Sequence, residues 1–106
     1  MLLALPLLLA ALPAPEMSAA DTSDARCLVT FAVVLGREKT DLNVINFAKL
    51  GVYYFQGKLR GRSPDLDLKA ATNEVLTYLT GHLDDEKVRC SRELQAAGQA
   101  LIDASK

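Results

Sequence analysis

The sequence from residue 84 to residue 101 reads DDEKVRCSRELQAAGQAL. Its core-type residues recur at steps of four, three and four: Cys90, Leu94, Ala97 and Leu101. This is the spacing of one face of an α-helix. The acids at 84–86 are typical of a helix N-terminus, where negative charge meets the positive end of the helix dipole. We therefore predict a helix here, with Cys90 facing a core.

The other cysteine, Cys27, belongs to a second helical pattern, so both sulfurs are expected on buried faces. Small exported domains need such a crosslink because their cores are thin. Closing a loop of about 64 residues would stabilise the fold by roughly 4 kcal/mol. We predict that Cys27 and Cys90 form one disulfide. Two buried free cysteines are the alternative, whereas a redox-active pair is expected closer together, as in Cys-x-x-Cys.

Polar caps divide the rest of the chain after residue 20 into three more helical segments. The first starts after a cap within 22–24 and runs to about Leu35. The second is capped by Thr40 or Asp41, and the third runs from Ser63-Pro64-Asp65 to Gly81. No stretch alternates for long enough to form a strand. The predicted fold is all-α, a small four-helix bundle closed by one disulfide.

The same spacing predicts which side chains face the core. In the first helix these are Cys27, Leu28, Phe31, Val34 and Leu35. In the second they are Val44, Ile45, Ala48, Val52, Phe55 and Leu59, and in the third Leu68, Ala71, Val75, Leu76 and Leu79.

Residues 1–20 have the pattern of a cleaved signal peptide. Their apolar run of about a dozen residues is too short to cross a bilayer. Ser18 and Ala20 suit the −3 and −1 positions of a cleavage before Asp21, and cleavage after Ala14 is the second choice. A buried first helix is disfavoured because prolines interrupt the segment. We predict a signal peptide over 1–20, a single helical domain over 21–106, and a periplasmic or secreted location.

The charge balance argues against two classes of partner. Only Glu16 among the charged residues precedes residue 21, so the remainder has twelve basic and twelve acidic side chains. This balance gives no general attraction to nucleic acid or to an anionic membrane. We predict no nucleic-acid partner and no stable membrane insertion after cleavage.

His82 is the single histidine of the chain. Zinc sites require several nitrogen or sulfur ligands, and the acids at 84–86 are better explained as helix caps. Without a second histidine there is no base to pair with a serine or cysteine nucleophile. We therefore predict no catalytic residue, no metal site and no cofactor, and a protein that is not an enzyme.

The second helix carries the predicted interaction face. Its residues 53–55 are consecutive bulky aromatics, which cannot all point inward at 100° per residue, so at least one tyrosine should reach the surface. Basic residues at its C-terminal end complement the negative end of the helix dipole. Binding of an acidic partner or of a lipid headgroup is the alternative explanation for these residues. The predicted face, for a protein partner or a second copy of the chain, comprises Tyr53, Tyr54, Lys58, Arg60 and Arg62.

A leader, a helical domain of under a hundred residues and one long-range disulfide together resemble the periplasmic acid-stress chaperones of the HdeA type. The resemblance implies a helical dimer at neutral pH that comes apart in acid and holds unfolding client proteins. It matches Cys27 and Cys90 to the family's disulfide pair. Residues 53–62 have no counterpart in those chaperones.

Two functions follow as hypotheses. The first is an exported helical protein that acts by binding another protein. The second is an acid-conditional holdase, because protonating the carboxylates and His82 would bring residues 21–106 to a net charge of about +13 and loosen the packing.

Overall fold

A computed structural model of the chain describes residues 17–106. Within this range the protein consists of four α-helices and has no strand: α1 (Ala19–Arg37), α2 (Leu42–Arg62), α3 (Leu68–Leu79) and α4 (Leu83–Ala104). The prediction of an all-helical fold with four helices is confirmed. Most of the predicted leader lies outside the described residues, and the predicted cleavage point before Asp21 falls in the first turn of α1.

Side-chain caps set three of the helix starts. The Asp41 carboxylate accepts the backbone N–H groups of Asn43 and Val44, at 3.0 and 3.3 Å, so the predicted cap of α2 is confirmed. The predicted start of α1 within 22–24 is wrong, because Ser18 Oγ accepts the N–H of Asp21 at 3.0 Å and the helix begins earlier. The helix also ends later than predicted, at Arg37 and not at about Leu35.

The predicted start of α3 is also wrong. The backbone N–H of Ser63 closes α2 by donating to the carbonyl of Leu59 at 2.7 Å, and its hydroxyl donates to Asp21 at 2.7 Å. Ser63 therefore bonds to α2 and α1 and does not cap α3. Asp67 caps α3 instead, and the helix ends at Leu79, before the predicted Gly81.

Helix α1 lies at the centre of the bundle and contacts each of the other three helices. Two buried clusters line it. One joins α1 to α2 and α3 and comprises Ala25, Val29, Leu59, Val75 and Leu79. The other joins α1 to α2 and α4 and comprises Cys27, Phe31, Ala48, Phe55 and Cys90. In the second cluster Cys27 and Cys90 form a disulfide, with Sγ atoms 2.10 Å apart.

Most predicted inward residues are buried or half-buried, but three are exposed: Val44, Leu76 and Leu101. Val44 and Leu101 lie on the core faces of α2 and α4, near helix ends that no other described element covers. Leu76 lies beside the buried Val75 on α3, where the short helix turns it toward solvent. For Val44 and Leu101, helical spacing therefore predicted the direction of the side chain but not its exposure, whereas for Leu76 the predicted direction was wrong.

None of the helices within residues 17–106 combines the length and the apolar character that crossing a membrane requires.

Two glycines of α2 should respond in opposite ways to alanine. A Cβ on Gly51 would lie 2.5 Å from Phe31 Cγ, whereas a Cβ on Gly57 would meet nothing within 4 Å. We expect Gly51→Ala to lower the free energy of unfolding by about 1–3 kcal/mol through overpacking. Gly57→Ala should raise it by about 0.5–1 kcal/mol, since alanine favours the helix. Urea denaturation measures both, and equal effects of the same sign would contradict the packing.

Candidate interaction site

The outward face of α2 exposes large apolar side chains. Leu42, Leu50 and Tyr53 are 69%, 61% and 71% exposed. At 100° per residue they fall within an arc of about 80°, opposite the buried Ala48, Phe55 and Leu59. We call these three exposed residues the α2 stripe. The exposure of Tyr53 confirms the prediction that at least one tyrosine reaches the surface.

Tyr54 lies on the other side of the predicted interaction face and is half-buried. Its ring packs edge-on against Phe55, with centroids 4.8 Å apart, and belongs to the cluster around the disulfide. Burial raises the pKa of its hydroxyl, and this effect outweighs the opposing charge of Lys58. Tyr54 therefore contributes to the bundle as well as to its surface.

Two of the three predicted basic residues pair with acids inside the molecule. Lys58 Nζ lies 3.0 Å from Asp24 Oδ1 and 2.8 Å from Glu93 Oε2. Arg62 donates to Asp24 Oδ2 at 2.6 Å and to Asp21 Oδ1 at 2.8 Å. These contacts tie α2 to α1 and α4. We call these five residues the ionic network.

Arg60 differs from its two basic neighbours. Its guanidinium is exposed and donates to the Pro64 carbonyl oxygen at 3.3 Å. On the helix it lies on the same side as Leu42 and Tyr53. Of the predicted basic residues, Arg60 is therefore the one that extends the α2 stripe.

Three members of the ionic network have shifted pKa values. The Ser63 hydroxyl and then the Arg62 guanidinium donate to Asp21 and hold its pKa below the ordinary 3.8. Hydrogen bonds to Asp24 and Asp21 raise the pKa of Arg62. Burial alone would lower the pKa of Lys58, but its bonds to Glu93 and Asp24 outweigh this and raise it.

The lowered pKa of Asp21 makes a pH-dependent prediction. A carboxylate with a lowered pKa in the folded state stabilises the fold above its unfolded pKa and loses that contribution as pH falls through the folded value. We expect Asp21→Asn to be less stable at pH 7 and to lose less stability between pH 5 and pH 2 than the wild type. Urea denaturation across this range measures the effect, with the exposed Asp65→Asn as control. Parallel pH profiles for Asp21→Asn and wild type would contradict the prediction.

A second polar cluster surrounds the buried Glu86. Arg89 donates to Glu86 through Nε at 2.9 Å and to Ser23 Oγ at 2.8 Å, so it links α4 to α1. Glu86 Oε2 also lies 3.5 Å from Cys90 Sγ. Because both sulfurs form the disulfide, neither is free as a thiolate metal ligand. Glu86 therefore lies buried beside α1 and also belongs to the first turn of α4. Its position among three acids did not predict this burial.

The histidine is held by the end of α3. His82 Nδ1 lies 2.8 Å from the Tyr78 carbonyl oxygen, and the two rings stack with centroids 4.1 Å apart. His82 is the residue directly before the first turn of α4.

An open groove of about 620 Å³ lies where the end of α1 meets the starts of α2 and α4. Phe31 and Val34 come from α1, Val44 and Phe47 from α2, and Leu83 from α4. Arg37, Glu38 and Lys87 also line it, so its charged residues sum to a net positive charge. Sequence reasoning missed this groove, because it forms between three helices whose angles the spacing does not specify.

Comparison of the chain with protein-family models, curated proteins and solved structures finds no match. The resemblance to the HdeA-type chaperones accordingly stays a prediction.

The sequence does carry a signal for the ionic network. Asp21 and Asp24 are three residues apart, and Lys58 and Arg62 are four apart. Each pair therefore lies on one face of its helix. Two helices with facing charges of opposite sign are candidates for such a contact.

Proposed function

We propose that this protein acts by binding another protein through the α2 stripe. The supporting observation is the exposure of Leu42, Leu50 and Tyr53 within one narrow arc of a helix. Single exposed apolar residues are ordinary on protein surfaces, but an aligned set on one element forms a surface that an amphipathic helix can cover. Tyrosine is also enriched at the centres of protein interfaces.

The scaffold behind the stripe supports this role. Phe55, on the opposite face of α2, is fully buried beside the disulfide, and Lys58 and Arg62 anchor the same helix to its neighbours. A surface held in one conformation loses little entropy on binding. The stripe is thus displayed on a fixed helix, with the exposed guanidinium of Arg60 beside it.

We also propose that the protein is exported, with cleavage before Asp21, and that it is not an enzyme. The disulfide supports export, because such bonds persist outside the reducing cytosol. Its partner is expected to be another protein in the same compartment, with no nucleic acid or cofactor involved.

Site-specific photocrosslinking in the native host tests the proposed function. A photoreactive side chain at position 50 or 53 should capture the same protein, whereas one at the exposed Thr77 on α3 should not. The Leu50→Ser/Tyr53→Ser variant should lose at least ten-fold in affinity for the captured protein. No adduct, or the same adduct from all three positions, would overturn the assignment of the stripe.

A second candidate function is the acid-conditional holdase. The observation that favours it is the pairing of Asp21 with Arg62, because protonation of Asp21 leaves the guanidinium of Arg62 with one partner fewer. Acid would loosen α1 from α2, while the disulfide limits expansion. An aggregation assay with a model client at pH 2.5 and pH 7 separates the two functions: protection only in acid supports the holdase.

A further inference from the structure

The core face of α2 continues past the part of the helix that the bundle covers. Val44 points to the same side as Ala48, Gly51 and Phe55, since these positions differ by steps of four, three and four. The latter three are buried, but Val44 is 39% exposed in the groove. The groove is therefore a stretch of core surface that the described residues leave uncovered.

Helix α4 has an uncovered core face at its other end. Leu101 continues the line of Cys90, Leu94 and Ala97, yet it is 75% exposed. Ile102 beside it is 53% exposed. The last turns of α4 thus carry an apolar end, Leu101 and Ile102, that packs against nothing in the described part of the chain.

These two surfaces lie at opposite ends of one helix. Leu83 and Lys87, in the first turns of α4, line the groove, whereas Leu101 lies eighteen residues after Leu83. At 1.5 Å per residue the separation along the axis is about 27 Å. The α4 end of a molecule therefore cannot reach its own groove while the helix stays intact.

We propose that the groove receives the α4 end of a second copy of this chain. In a two-fold pair with antiparallel α4 helices, the last turn of each α4 meets the first turn of the other. Each copy then supplies one groove and one apolar end, and the contact closes on itself. This places Leu101 of each molecule against the surface that Val44 leaves open.

Charge favours the same arrangement. Arg37, Lys87 and one acid, Glu38, line the groove and leave it net positive, and Asp84 contacts Lys87 only loosely, at 3.8 Å. The C-terminal end of a helix carries a partial negative charge. Asp103 adds a carboxylate near the α4 end, where Lys106 Nζ approaches it only loosely, at 3.9 Å. In the antiparallel pair these negative groups approach the two cations. The dimer uses a surface separate from the α2 stripe and does not depend on the proposed function.

Crosslinking between two differently labelled chains tests the geometry. Because both native cysteines are in the disulfide, an introduced cysteine is the one free thiol of its chain. Val44→Cys and Leu101→Cys chains, mixed and treated with a short bis-maleimide, should give a crosslinked dimer in high yield. Thr77→Cys mixed with Leu101→Cys is the control and should give at most a tenth of that yield. Equal yields from both mixtures would overturn the proposal.

Sedimentation equilibrium tests the energetics with the full chain. Leu101→Ser/Ile102→Ser should weaken the dimer by at least ten-fold, while Ala100→Ser on another face of the same helix should change the dissociation constant less than two-fold. Far-ultraviolet circular dichroism checks that the helices persist. A wild type that is monomeric at 1 mM would overturn the dimer. A dimer weakened only by Leu50→Ser/Tyr53→Ser would assign the contact to the α2 stripe and overturn this one.

Discussion

The Cys27→Ala/Cys90→Ala variant is expected to have a free energy of unfolding about 4 kcal/mol below that of the oxidised wild type. The disulfide joins residues 63 apart in sequence, so its loss releases a long loop in the unfolded chain. Domains of about 90 residues have total stabilities of roughly 5–13 kcal/mol. The variant should therefore keep about 1–9 kcal/mol and unfold at a clearly lower urea concentration than the oxidised wild type.

Urea denaturation at pH 7 measures this loss. The wild type with its disulfide reduced by a thiol reagent is the matched comparison, because it keeps both cysteine side chains and lacks only the bond. Both forms should unfold at similar urea concentrations. A loss below about 1 kcal/mol in both would mean that the unfolded chain is already compact enough for the crosslink to restrict little.

The second large effect is expected at Phe55. Its side chain is fully buried, stacks on Phe31 with ring centroids 5.9 Å apart, and lies in the cluster that holds the disulfide. Phe55→Ala removes most of this ring and leaves a cavity between α1 and α2. We expect a loss of about 3–5 kcal/mol in the free energy of unfolding.

The neighbouring aromatic residue supplies the control for Phe55. Tyr53→Ala removes a ring of similar size from the exposed face of the same helix and should change stability by less than about 0.5 kcal/mol. Both variants are compared by urea denaturation. Similar losses for the two would show that α2 is rotated relative to the structure described here.

Sequence periodicity was sufficient to predict the four helices and the disulfide, because apolar spacing and polar caps are local properties. It was insufficient for the start of α3. Ser63 and Asp67 are both acceptable caps, and the choice between them depends on Asp21, more than forty residues away, which engages the Ser63 hydroxyl. A short stretch of sequence does not show such competition between residues that are far apart in the chain.

Burial was also predicted incompletely, for a different reason. The spacing predicts toward which side of the helix Val44 and Leu101 point. Whether that side is buried depends on which other elements pack against it. Conversely, Asp21 and Asp24 are charged, yet both are buried. Their burial depends on Arg62 and Lys58 reaching them from another helix, a pairing that emerges only with the tertiary fold.

The central position of α1 has a consequence for the order in which the molecule can be assembled. Helix α1 is made first, but it is contacted by α4, the last helix of the bundle, and Cys27 is bonded to a residue 63 positions later. At synthesis rates of about 5–20 residues per second, Cys90 is made roughly 3–13 seconds after Cys27. During that interval α1 has no complete set of neighbours. Folding can therefore finish only after α4 has emerged, and until then the nascent protein lacks its complete core.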